Sequence, residues 1–421
     1  MKINVIESLI TKYSPNDVEY KELGDLGVFE NIGVDKKILP NEKLVKLLNY
    51  MDVYKNHYID ASIPSMAVSA SDKKIFQCSV EKGDIFITPT SETKGDIGHS
   101  AVIIETIENC CYSYHLMRYR LNQSNIITSF YIRYLFECDF VRKQIYKYAK
   151  GLTRYGLSKY DFARIIVPLP PLPVQEEIVR ILDAFFAAET ELEVKLKAEQ
   201  DFRKKQYKYH LNQLLSFDKK DKSVKFMQLG EIGTFIKGNG LQKKDFTDSG
   251  VGCIHYGQIY TYYGTYTQQT KSFVSEELAK KLKKAQKGDL IIATTSENVE
   301  DVGKAVAWLG NESICIGGHS TVFHHNQNPK YMAYLFQTEI FFKQKQKVAK
   351  GVKVIDISDK AMSKFKFGFP SIEEQERIVS ILDELNKLIN EISDSLQAEI
   401  TARKKQYEYY RNKLLTFKEA V

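Results

Sequence analysis

Apolar residues recur at steps of three and four through residues 370–417, at Ile378, Ile381, Leu382, Leu385, Leu388, Ile389, Ile392, Leu396 and Ile400. That is the period of a helix with one buried stripe. Residues 170–217 carry Ile178, Ile181, Leu182, Phe185, Leu192 and Leu196 in the same phase. The stripe is narrow, like a coiled-coil seam and unlike the broad face of a helix lying on a globule. Pro173 before Val174, and Ser371 with Glu374 as a capping box, mark the starts; Glu176, Glu177 and Glu376 suit the positive helix end. Roughly 42 residues at 1.5 Å rise predict rods of about 60 Å. Elsewhere the pattern changes. Short apolar runs bounded by turn residues occur at 84–88, 101–105, 289–293 and 305–309, while 127–150 and 330–350 read as helical. This predicts α+β globules.

The two rod segments are copies of each other. Aligned at an offset of 200, they share 22 identities in 48 positions without a gap, including Gln175/Gln375, Asp183/Asp383 and Arg203-Lys-Lys-Gln-Tyr207 against Arg403-Lys-Lys-Gln-Tyr407. The duplication reaches into the preceding segments. Ala149-Lys-Gly151 matches Ala349-Lys-Gly351, and Lys82-Gly-Asp with Thr90-Ser-Glu92 matches Lys287-Gly-Asp with Thr295-Ser-Glu297. A period near 200 residues is too long for a solenoid. The predicted order is a globule at 1–169, a rod at 170–217, a globule at 218–369 and a rod at 370–421. Two copied rods are expected to pair antiparallel about a pseudo-twofold axis.

Length agrees, since 421 residues exceed what one core usually supports. The absence of an apolar leader or a long apolar run predicts a soluble, cytoplasmic protein. Its six cysteines, without CxxC or Cys–His spacing, are expected to be reduced. No catalytic constellation is visible. There is no GxxxxGK[ST] phosphate loop, and Gly238-Asn-Gly240 reads as a tight turn. Pro170-Pro171 lies outside any Asp/Asn-Pro-Pro-aromatic context, and adjacent His324 and His325 lack the clustered ligands of a metal site. Neither a catalytic nor a metal-binding residue is assigned.

Net charge is +7, and its distribution is informative. Residues 218–369 carry +8 and residues 1–169 carry +2, while the rods carry −1 and −2. Positive charge therefore resides in the globules, where phosphates would be met. Side chains suited to phosphates and base edges are Lys94, Arg118, Arg120, Asn122, Gln123 and Arg154 in the first globule. In the second they are Tyr256, Gln258, Tyr260, Lys271, Lys304 and Lys353. On the rods, Arg203, Lys204, Lys205 and Tyr207, repeated as Arg403, Lys404, Lys405 and Tyr407, present the same surface twice. Two identical surfaces suit two identical partners.

Two dissimilar globules alternate with two near-identical helices, each opened by an x-x-Q-E-x-I-V-x-I-L-D run. The arrangement resembles the specificity subunit of type I restriction–modification systems. The resemblance covers the whole chain and rests on residues 175–183 and 375–383, the Arg-Lys-Lys-Gln-Tyr blocks, and the Lys-Gly-Asp strands with their Thr-Ser-Glu loops. It implies globules that each read half of a split target in double-stranded DNA. It further implies paired helices that set the spacing and dock two adenine-N6 methyltransferase subunits, and a restriction/translocase subunit that joins them. S-adenosylmethionine, ATP and Mg would belong to those partners, with no cofactor in this chain. The alternative from the residues alone is a coiled-coil scaffold that binds proteins and not DNA. The extra segment at 3–13, resembling a shortened copy of residues 207–217, is expected to pack beside the end of the second rod.

Overall fold

The computed structural model describes Ser8, Thr11, Lys12 and residues 18–418. Apart from those first three residues, the segment at 3–13 lies outside the described residues. Two compact units are present, Met1–Lys195 with Ala398–Val421, and Leu196–Gln397. Each rod is one continuous helix, Leu172–Leu214 and Ile372–Leu414, and each is divided between the units.

The first unit is built on a five-stranded sheet in the order Gly27–Glu30, Met117–Leu121, Ile85–Ile87, Ser100–Ile103, Tyr58–Ile59. Its pairs are antiparallel except the last, which is parallel. A four-stranded sheet follows the order Met66–Ala70, Lys43–Leu48, Ile107–Tyr112, Ser79–Val80. The second unit repeats this plan. Its five strands are Gly233–Lys237, Ser320–His325, Leu290–Ala293, Ala305–Trp308 and Tyr266–Thr267, again with a parallel last pair. Its four are Ser272–Val274, Val251–Ile254, Ile314–Ile316 and Lys284–Ala285. The Lys-Gly-Asp runs lead into the central strands, whose residues Ile85, Phe86 and Ile87, and Leu290 to Ala293, are fully buried.

The helical readings at 127–150 and 330–350 hold in part. Each is two helices, Ser129–Leu135 with Asp139–Tyr148, and Pro329–Leu335 with Glu339–Gln346. The break has a tertiary cause. Asn412 accepts from the Asp139 backbone N–H at 2.8 Å, and Asn212 accepts from Glu339 N–H at 2.7 Å. Each thus caps a second helix from a rod remote in sequence.

Gln175 and Gln375 explain their own repetition. Both are fully buried at a rod start. Gln175 accepts from Thr128 N–H at 3.0 Å and donates to the Ile126 and Pro170 carbonyls, each at 2.8 Å. Gln375 accepts from Asn328 N–H at 3.0 Å and donates to Gln327 Oε1 at 2.8 Å and the Pro370 carbonyl at 3.0 Å. One amide fixes the loop before the helix pair to the rod. Ile178, Ile181 and Leu182, and then Ile378, Val379 and Leu382, continue that anchorage into the two cores.

Within each unit the rods run antiparallel. Phe185 stacks on Tyr410 with centroids 5.5 Å apart, and Glu193 pairs with Lys404 at 2.6 Å. As one residue number rises, its partner's falls. In the second unit Gln200 donates to the Ser393 carbonyl at 3.5 Å, while Leu211 and Leu215 share a core with Ile378 and Leu382. In the first, Tyr20 donates to the Phe417 carbonyl at 2.9 Å and Val18 N–H to that of Lys418. All six cysteines are free and buried. Among the described residues no helix is long and apolar enough to cross a membrane.

Candidate nucleic-acid interface

In the first unit the central strand Ile85–Ile87 leads to the short strand Thr90–Ser91 and a 3-10 turn at Lys94–Asp96. Tyr155–Gly156 pairs with Thr90–Ser91 and brings the 150–155 loop alongside. Two candidates far apart in sequence meet here. Lys94 Nζ lies 5.5 Å from the centre of the Tyr155 ring, and Arg154 donates to Thr90 Oγ1 at 3.2 Å. Both are exposed. Arg142 holds the platform from behind, donating to the Gly95 carbonyl at 2.6 Å and to that of Ile97. Within this loop Ser91 Oγ accepts from the Thr93 N–H at 3.4 Å.

The second unit builds the same platform with other residues. Thr295–Ser296 pairs with Ile355–Asp356. Tyr260 donates to the Thr295 carbonyl at 2.6 Å, and Lys304 Nζ lies 5.8 Å from the Tyr260 ring while pairing with Asp301 at 2.7 Å. Tyr256 packs edge-on to Tyr260 and 4.9 Å from the His319 ring. Lys345 replaces Arg142, donating to the Glu300 and Val302 carbonyls, each at 2.7 Å. Burial lowers its pKa to about 8, against the opposing pull of Asp301 and Glu300. Lys353 is exposed on the 350–355 loop. Lys271 is held elsewhere, its Nζ 4.4 Å from the centre of the Tyr262 ring.

Several candidates are engaged in the fold. Arg118 is 5% exposed, ion-pairs with Glu30 and donates to the Ser79 carbonyl at 2.8 Å, so the expectation that it reads bases is withdrawn. Arg120 grips Asp84 through Nε at 2.6 Å and Nη2 at 2.7 Å, with Glu81 at 3.0 Å on Nη1. Asp84 has a side chain 1% exposed, and such a carboxylate requires its cation. Arg120 is thereby a structural residue too. The Gln123 amide donates to the Asp25 carbonyl at 2.9 Å. Gln258 accepts from His255 N–H at 3.0 Å and donates to Ser272 Oγ at 2.7 Å, capping its helix. Asn122 remains exposed. The sequence showed the forked donors but not the acids waiting for them.

The repeated basic blocks also divide. Arg203 reaches Glu199 at 2.7 Å and Gln206 at 3.2 Å; Arg403 reaches Glu399 at 2.8 Å and Gln406 at 3.1 Å. Lys204, Lys205 and Lys405 are exposed, as is Lys404, which Glu193 pairs. Tyr407 is 8% exposed inside the first core, and Tyr207 is half-buried against the second. Burial pushes both phenols up, that of Tyr407 to about 12. These tyrosines serve packing, which corrects their assignment to a docking surface. Among the described residues no group of three or more His, Cys, Asp or Glu could hold a metal ion.

The type I restriction modification DNA specificity domain matches this chain twice, at residues 15–199 and 221–402. The chain belongs to the type I restriction–modification DNA specificity family. It is 28% identical over 413 residues to the EcoR124I/EcoR124II specificity subunit of Escherichia coli, covering 95% of both chains. It is 31% identical over 297 residues to a putative type I specificity subunit of Haemophilus influenzae, covering 68% of this chain and 72% of that one. Its fold is similar to that of a chain from a type I R-M system solved for its complex assembly and conformational transition. There the TM-score is 0.71 at 16% identity, over 95% and 97% of the two chains. The HsdS subunit of Thermoanaerobacter tengcongensis superposes with a TM-score of 0.56 at 16% identity, over 94% and 96%. Two specificity domains joined by long helices are thus the family's architecture, and DNA specificity is its role.

Proposed function

We propose that each globule of this specificity subunit reads one half of a bipartite sequence in double-stranded DNA. The exposed cations used are Lys94 and Arg154 in the first globule, Lys304 and Lys353 in the second. The observation that carries this is repetition: the same strand–loop platform occurs twice, each time holding exposed cations beside tyrosines. Phosphate contacts from such loops fix register, while neighbouring polar and apolar groups discriminate bases. The paired rods set the spacing, and their exposed Lys204, Lys205 and Lys405 support docking of two methyltransferase subunits. Those subunits bring S-adenosylmethionine and flip the target adenine. A restriction/translocase subunit brings ATP and Mg, and the assembly works in the cytoplasm. Replacing residues 1–169 with the matching globule of a relative, then mapping N6-methyladenine in a host carrying the partners, tests the reading. One half of the methylated motif changes; a change in both halves, or in neither, overturns it.

A further inference from the structure

Resting on that bipartite reading, we propose that the tips of the 150–155 and 350–355 loops enter the duplex. Leu152 and Val352 act as apolar wedges against the bases, with Arg154 and Lys353 on flanking phosphates. Leu152 is 93% exposed and Val352 96%, the two highest values among the exposed large apolar side chains described. Both follow the duplicated Ala-Lys-Gly block, so the loop is written twice and its tip is apolar twice. An apolar side chain in water contributes nothing to folding, so its recurrence at one position points to burial in a complex.

The loops are built to present these tips. Lys150 and Gly156 exchange both backbone hydrogen bonds, at 3.1 and 2.9 Å, and Lys350 and Asp356 do so at 3.0 and 2.8 Å. Gly151 and Gly351 turn the chain sharply at φ +140° and +125°. A Cβ at either would lie 1.9 Å from the carbonyl oxygen of Arg154 or Val354, so no other residue fits. Cations flank the tips along the chain, Lys150 and Arg154 at the first and Lys350 and Lys353 at the second, and Lys94 lies beside Tyr155. No acid falls within 149–160 or 349–355. A partner offering both anions and apolar faces is called for, and a duplex does so through its phosphates and unstacked bases.

The test uses the complex with its methyltransferase and a duplex carrying its mapped motif, with 2-aminopurine placed at successive positions of each half-site. Leu152→Ser lowers affinity roughly tenfold and abolishes the fluorescence rise in the half-site assigned to the first globule only. Val352→Ser does the same in the other half-site only. Neither changes the salt dependence, whereas Arg154→Gln lowers its slope by about one and keeps the fluorescence rise. Wild-type affinity and fluorescence in both serine variants overturn the proposal. Loss of methyltransferase from the purified complex also overturns it, because the tips then meet protein. Failure of the bipartite reading shows separately, since replacing residues 1–169 in the wild type alters one half-site whatever the tips do.

Discussion

The two units share a topology strand for strand, yet they stabilise equivalent places with different chemistry. In the first, Arg133 is fully buried and ion-pairs with Glu137, which also meets Arg411 at 3.3 Å and His57 at 3.5 Å. The equivalent positions in the second are Ala333, Gln337, Leu211 and Thr265, where Gln337 simply donates to Thr265 at 3.1 Å. A cavity of 620 Å³ opens there, lined by Tyr260, Tyr263, Thr265, Gln337 and Lys345 among others. The cation behind the platform moves as well: Arg142 with Ile145 in one unit becomes Phe342 with Lys345 in the other. Asp183 accepts from Tyr58 and Tyr134, whereas Asp383 accepts from Tyr334 at 2.6 Å and pairs with Lys330 at 2.6 Å. Duplication kept the backbone connections and exchanged the charges that support them. A buried charge needs a partner but not a particular one.

The largest expected effect follows from that contrast. Glu137→Ala leaves Arg133 and Arg411 without their carboxylate and destabilises the first unit by about 3–5 kcal/mol. Gln337→Ala removes two neutral hydrogen bonds, to Thr265 and to the Ala333 carbonyl, and costs about 1–2 kcal/mol. Hydrogen exchange resolved by unit is the appropriate measurement, because a two-unit chain has no single unfolding free energy. Equal effects in the two units would end the comparison. Gln175→Leu and Gln375→Leu each cost about 2–3 kcal/mol, because each orphans a backbone N–H before the helix pair and the proline carbonyl at the rod start. These costs should match, in contrast to the first pair.

Arg142→Phe should cost about 2 kcal/mol through the lost carbonyl contacts. Adding Ile145→Lys, which copies the second unit, should recover all but about 1 kcal/mol. Failure to recover would mean that the two platforms are not interchangeable. Stability against pH separates the two units in a different way. Burial, with Arg133, Arg411 and His99 nearby, lowers the His57 pKa to about 3, so the unfolded chain binds that proton first. First-unit stability therefore falls as pH drops from about 6.5 towards 3, and His57→Thr flattens the fall. Lys345, lowered to about 8, faces Asp301, Glu300 and Lys304, and the neutral amine suits its site. Second-unit stability rises between about pH 8 and 10.5, and Lys345→Met removes the rise. Hydrogen exchange at fixed pH values checks both.

Much of this architecture was legible because it is periodic or repeated. The 3.5-residue seam announced the rods, and copied blocks announced two equivalent globules. Identity between copies also marked Gln175 and Asp183 with their counterparts, although their tasks as clasp and anchor required coordinates, as did the capping role of Asn212 and Asn412. The interface was harder to read. Arg118 and Arg120 had the composition of base readers, but Glu30, Glu81 and Asp84 claim them from distant strands. Leu152 and Val352 leave no periodic signal, because each is a lone apolar residue in a polar loop.

Sequence alone determined what depends on local order: helix length, the antiparallel seam, the duplication and the placement of positive charge in the globules. Tertiary structure decided which charges remain available. A guanidinium is cationic wherever it occurs in the chain, and only the acids that the fold brings within about 3 Å determine whether it supports the fold or faces a phosphate.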